Sequence, residues 1–225
     1  MSARSVMQPF KSAVLAVAIG ATLSMCPLAA RAEAPTPGAD VQMMVRVNGH
    51  DIPIDAASLR HASLHSPSEA PAGGDNSSQN LLGWDQWFGC FSLNHEDDIF
   101  ATYYTPSVDM HAGREINDSF GYKHIRADKL GVWTDEYDSA VAAGWNPALQ
   151  NMEDWDDLMS VAAETGIEYP NFQGGSAVNN TTCVNVNLDF VKPGVGLVYT
   201  FNAIAVYSNT NDRLITAFPT TRTTC

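Results

Sequence analysis

Apolar and polar residues alternate most cleanly late in the chain. Val184, Val186, Leu188 and Phe190 are interleaved with Asn185, Asn187 and Asp189, the period-two signature of a strand with one buried and one wet face. Lys192-Pro193-Gly194 reads as a turn, residues 197–207 as a long strand, Asn209-Thr210-Asn211-Asp212 as a second turn, and 214–218 as the returning strand. The pattern predicts an antiparallel meander over residues 184–218. Upstream the period changes to that of a helix. Thr134 can cap a helix over 135–143, with Asp135 and Glu136 near its positive end, Tyr137, Ala140 and Val141 as its apolar stripe, and Gly144 as its stop. Asn151 can cap a second helix over 152–165, with Trp155, Leu158, Met159 and Ala162 as its stripe and Gly166 as its end. On that wheel Asp156 and Asp157 fall away from the stripe and read as a solvated acidic face rather than a metal site.

The first part of the chain is weaker in pattern. Met43-Met44-Val45-Arg46-Val47 reads as a strand, Asn48-Gly49 as a hairpin turn, and Ile52-Pro53-Ile54 as a return strand that Pro53 confines to an edge. Residues 66–80 are Ser, Pro, Gly, Asn and Ala and predict a mobile loop. Trp84, Trp87, Phe88 and Phe91 lie at i, i+3, i+4, i+7, which fits a helical aromatic face read as core, although Gly89 interrupts it. Residues 99–104 predict a strand. The expected class is therefore α+β, with two or more helices packed on a small antiparallel sheet formed by the C-terminal third. The expected organisation is a signal peptide over 1–32, a linker, small β-hairpin and mobile loop over 33–80, and a single α+β domain over 81–225.

The signal expectation rests on a basic start (Arg4, Lys11), an apolar run over 12–25 and the small-x-small site Ala30-Arg31-Ala32, which would put the mature start near Glu33. The run is too short to span a bilayer core of about 30 Å as a helix, and no later stretch predicts an integral membrane segment after cleavage. Met25 and Pro27 fit a lipoprotein cleavage box poorly at Cys26. A secreted or periplasmic location follows, and with it a disulfide is plausible. Of Cys90, Cys183 and Cys225, the preferred pair is Cys183–Cys225, because it would tie down a tail that otherwise frays. Cys90 with either partner is the alternative.

Charge narrows the function classes. The signal holds three of the twelve basic residues and no acidic one, leaving nine against 25, a net charge near −16. Such a chain repels phosphate backbones at long range, which disfavours non-specific nucleic-acid binding and permits a cationic partner. No Gly-x-Ser-x-Gly elbow is present, and Gly174-Gly175 reads as a lone turn. His95-Glu96-Asp97-Asp98 with His111 offers metal-ligand types, but at no recognised ligand spacing, and reads as a solvated acidic turn. No cofactor is implied. Asn76, Asn117, Asn179 and Asn180 fit the glycosylation sequon.

Two segments carry a resemblance. Phe120-Gly121-Tyr122-Lys123-His124-Ile125-Arg126 should start a helix, and the turn at 209–212 runs into Arg213-Leu214-Ile215-Thr216-Ala217-Phe218-Pro219. Together, over about residues 118–220, they resemble the barnase/EndoU/colicin/RelE-like ribonuclease toxin domains of bacterial competition systems. The resemblance implies an endoribonuclease in which His124 is the acid/base, Lys123 and Thr216 assist, and Arg126 and Arg213 bind the RNA substrate. An immunity protein is the implied partner. Proton transfer to and from the ribose 2′-OH suits a histidine near neutral pH. The alternative reading is a non-catalytic exported protein that binds another protein or a cell-envelope component.

Overall fold

A computed structural model describes residues 40–47, 49–54, 84–103, 106–114 and 119–225. The signal, the linker up to residue 39, the whole of the 66–80 loop region, Asn48, Tyr104, and the sequons at Asn76 and Asn117 lie outside the described residues.

Eight strands and three helices are described. They run β1 (Gln42–Val47), β2 (His50–Pro53), α1 (Trp84–Phe91), β3 (Ile99–Tyr103), β4 (Val108–His111), α2 (Gly121–Ala142), α3 (Trp155–Glu168), β5 (Phe172–Ser176), β6 (Thr181–Lys192), β7 (Gly196–Ser208) and β8 (Leu214–Thr220), with a 3-10 turn at Pro147–Gln150 before α3. The fold is mixed α+β with antiparallel sheets. The meander expected from the period-two pattern is β6-β7-β8, and the main sheet runs β2-β1-β6-β7-β8. The sheet is not confined to the C-terminal third. β1 pairs with β6 from Val45↔Leu188 to Gln42↔Val191, so the N-terminal hairpin is part of the main sheet.

One edge of β6 serves two strands end to end. β5 pairs with Thr181 to Asn185, and β1 with Leu188 to Val191. Asn171 fills the junction: its Oδ1 accepts from Asn187 N at 2.6 Å and its Nδ2 donates to Arg46 O at 3.3 Å. A side-chain amide thus substitutes for the missing strand backbone, as buried backbone groups require.

Val184, Val186, Leu188 and Phe190 are buried as expected, but the other face is not wet throughout: Asn185 and Asp189 are buried as well, Asn185 beneath the tail at Arg222. The apolar row meets α3 at Gly166, where an added Cβ would touch Val184 and Val186. Gly166 therefore does not stop the helix; it lets helix and sheet approach closely, and α3 continues to Glu168. The N-cap is Asp154, whose side chain accepts from Asp156 N, not Asn151, which sits in the left-handed region at the end of the 3-10 turn. The first expected helix is also longer. One helix runs from Gly121 to Ala142, and Thr134 is interior to it, its hydroxyl donating back to Leu130 O at 2.9 Å. A Thr can satisfy its hydroxyl on the i−4 carbonyl as readily as cap a helix. Gly144 does lie just past the helix end, with φ +99.

Opposite the N-terminal hairpin, Cys183 and Cys225 form a disulfide with Cα atoms 6.2 Å apart. The tail it anchors crosses β6, where Asn185 Nδ2 donates to Arg222 O at 3.0 Å. Cys90 is buried and takes no part in this disulfide.

Candidate functional site

The entry to α2 is set by two glycines. Gly113 and Gly121 have φ of +68 and +82, and a Cβ on Gly121 would lie 2.2 Å from His111 O. Only glycine tolerates both the left-handed backbone and that approach. The close packing presses the start of α2 onto the end of β4, and Lys123 N donates to Ala112 O at 2.9 Å. An N–H of the first turn is thus given to a backbone carbonyl.

Two side chains of that turn share one aromatic ring. Lys123 Nζ lies 5.6 Å and the Arg126 guanidinium 5.2 Å from the centroid of Phe91, on α1. Lys123 is 6 % exposed, and its ammonium donates to Asn94 Oδ1 at 2.7 Å. Arg126 Nη1 donates to the Tyr122 hydroxyl at 3.4 Å. Neither forms an ion pair among the described residues. An ammonium has three donors, and one amide oxygen uses only one of them.

Tyr122 connects these cations to α3. Its ring stacks on Trp155 at 6.0 Å and packs edge-on against Phe91 and Phe100. Its hydroxyl donates to Asp156 Oδ2 at 2.9 Å. Asp156 and Asp157 are 5 % and 1 % exposed, contrary to the solvated face expected for them. The single-stripe wheel fails because α3 is buried on nearly all sides: Val161, Ala163, Glu164 and Ile167 are buried besides Leu158, Met159 and Ala162. Asp157 Oδ2 accepts from Glu153 N at 2.7 Å, reaching back as an N3 residue of a capping box does. Asp156 Oδ1 is buried with no hydrogen-bond partner. Burial, reinforced by the Asp154 carboxyl, pushes the Asp156 carboxyl up to about 8. Burial and the Asp156 carboxyl push the Tyr122 hydroxyl far up as well.

The other residues singled out by sequence lie apart from this group. His124 Nδ1 is 3.7 Å from Asp128 Oδ2. It projects from the side of α2 opposite Trp133, nine residues and a half-turn away in phase. Trp133 Nε1 donates to Ala217 O in β8 at 3.0 Å, so His124 points away from that strand. Thr216 is registered opposite Val206, and Ala217 opposite Ala205, which continues the helix-facing row through Val184. Alternation along β8 therefore sends Thr216 to the other face of the sheet, where its Oγ1 is buried without a partner. Arg213 Nη2 meets Asp97 Oδ1 at 3.0 Å, and its guanidinium lies 4.7 Å from the Phe120 ring. The structure brings Lys123 and Arg126 onto one ring, sets Arg213 beside Phe120 at the start of the same helix, and turns Thr216 to the face of the sheet away from the helices.

The acidic turn at 95–98 is a set of ion pairs. His95 meets Asp98 at 3.2 Å, Arg114 pairs with Glu96, and the carbonyl of Asp97 contacts His111 Nδ1 at 3.0 Å. Sequence reasoning missed Phe91, Tyr122 and Asp156 as site residues. The available signal was Asp154-Trp155-Asp156-Asp157, which places three carboxylates at a helix start where at most two have capping work. Comparison with protein-family models, with curated proteins and with solved structures finds no match for this chain.

Proposed function

We propose that this chain is a non-catalytic module of the exported compartment, which binds an anionic group of another protein or of an envelope component through Lys123 and Arg126 on Phe91. The observation that carries the reading is the pairing itself. In a chain with 25 acidic residues, two cations converge on one ring, and among the described residues neither forms an ion pair with a carboxylate. Ring and amide contacts stabilise such cations by about 0.5–2 kcal/mol each, while a carboxylate or phosphate would supply charge-assisted bonds roughly twice as strong as neutral ones. The ribonuclease reading shares Lys123 and Arg126 but also asks for His124 and Thr216 at one phosphate, and these point to different sides of α2 and the sheet.

One experiment separates the two. Mature protein and a Lys123→Met/Arg126→Gln variant are sedimented with an isolated envelope fraction at low salt and at 0.5 M salt, and both are incubated with total RNA. Binding that is lost in the variant and weakened by salt supports the module. RNA cleavage that disappears in His124→Ala replaces this reading with the ribonuclease. Equal sedimentation of both proteins removes Lys123 and Arg126 from it.

A further inference from the structure

A second site lies at the start of α3. Asp154, Asp156 and Asp157 each offer an oxygen, and these atoms lie within 4.8 Å of one another. Crowded carboxylates are common on surfaces and signify little there. Here two of the three are almost wholly buried. A separate fact concerns Asp156: one oxygen takes the Tyr122 hydroxyl, while Oδ1 is shut off from water and receives nothing. A buried acceptor left unmade costs about 1–3 kcal/mol, more for a charged group. The groups facing it do not supply the missing donor. From α2 come the hydroxyls of Tyr122 and Tyr137 and the guanidinium of Arg126, which reaches Tyr122 rather than the carboxylate. From α3 and the residue before its cap, among the described residues, come the carboxyls of Asp154, Asp157 and Glu153.

We propose that Asp154, Asp156 and Asp157 bind a divalent cation of the calcium class, with Asp156 Oδ1 as the ligand atom the fold leaves open. The donor set is all oxygen, and carboxylates on one helix turn suit a large hard cation that completes its shell with water. The helix start limits the affinity, because its partial positive charge opposes a cation. Three carboxylates beside an opposing helix dipole put the affinity at about 10⁻⁴–10⁻³ M, the weak end of the calcium range. This site is independent of the anion reading at Lys123 and Arg126.

The test uses terbium, which replaces calcium and emits when a nearby indole is excited. Trp155 stands between Asp154 and Asp156 in the chain. Mature protein should show terbium emission on tryptophan excitation, displaced by millimolar calcium. Calcium should also raise its melting temperature. Asp156→Asn mimics the protonated carboxyl and keeps an acceptor for Tyr122, so it should fold and lose the emission; Asp154→Asn should weaken it. Emission that survives in folded Asp156→Asn overturns the proposal. So does wild-type protein with neither emission nor a calcium-dependent melting shift at 10 mM, which would leave Asp156 holding a proton only.

Discussion

Gln150 offers the sharpest test of how the N-terminal hairpin is held. Its side chain is buried between β1 and the 3-10 turn. Its Oε1 accepts from Met43 N and from Trp145 Nε1, both at 2.8 Å, and its Nε2 donates to Met43 O at 3.2 Å and to Ile54 O. One amide thus acts as a fragment of strand at the edge of β1. Gln150→Leu keeps the volume and removes all four bonds. Met43 O retains Ile54 N, but Met43 N, Trp145 Nε1 and Ile54 O are left without a donor or acceptor. At about 1–3 kcal/mol for each orphaned buried group, less some gain from the apolar side chain, the expected loss is about 3–5 kcal/mol. Urea unfolding followed by tryptophan fluorescence should show a lower midpoint at an unchanged slope, the mark of a stability change alone. Gln150→Glu should be as damaging at pH 7 and milder near pH 4, where a protonated carboxyl regains one donor. A loss under about 1 kcal/mol for the Leu variant would show that the hairpin is held by packing of Met43 and Val45, and the hydrogen-bond argument would fail.

Reducing the Cys183–Cys225 disulfide opens a loop with a sequence separation of 42; loop-closure entropy puts the cost at up to about 4 kcal/mol, and unchanged urea midpoints with and without reductant would contradict it. Gly121→Ala, which combines φ +82 with a Cβ 2.2 Å from His111 O, should lower the melting temperature by about 6–12 °C at about 3 kcal/mol, while Gly131→Ala, where nothing lies within 4 Å, should leave it unchanged or raise it. Stability should fall as pH rises from about 4 to 8: Asp156 and Glu164, raised to about 8 and about 7 by burial, hold protons in the folded state that the unfolded chain has lost, so folding releases none and alkaline pH strips the advantage. Melting curves that rise over that interval in metal-free buffer would refute the assignment, and Asp156→Asn should flatten the slope.

The parts of the fold that were legible in the sequence are those where one physical requirement dominates a residue. β6 alternates because one face meets α3 and the other carries a polar network of Asn187, Thr200 and Asp189. The turns between β6, β7 and β8 need Gly194 and Asp212 in left-handed backbone, and the sequence supplies residues that accept it. The disulfide was legible because a terminal cysteine near a strand start has few other uses. Elements with two competing readings were not. Thr134 could cap or back-bond, and the interior of a 22-residue helix decided for back-bonding. The hairpin β1–β2 reads as detachable because its pairing with β6, more than 140 residues away by Val45↔Leu188, leaves no local mark.

The site was legible in composition and not in direction. Lys123, His124 and Arg126 were recognised as one chemically capable segment, and they do share the first turns of one helix. A helix, however, separates consecutive residues by 100°, so Lys123 and Arg126 reach Phe91 while His124 reaches Asp128 on another side. Thr216 fails for the corresponding reason in a strand. The register shift between Val206 and Tyr207 decides which of its neighbours face the helices, and no single-sequence pattern encodes a bulge. Asp156 was hidden differently. A wheel with one apolar stripe presumes one buried side, whereas α3 lies between the main sheet on one side and α2 with β3 on the other. Once a helix is enclosed, its polar residues cease to be surface by default, and each must find a partner. Tyr122 is the partner of one Asp156 oxygen; the other accepts no hydrogen bond among the described residues. The chemistry of the molecule is therefore to be sought in the buried polar groups of α2 and α3 as much as in the histidine that first drew attention.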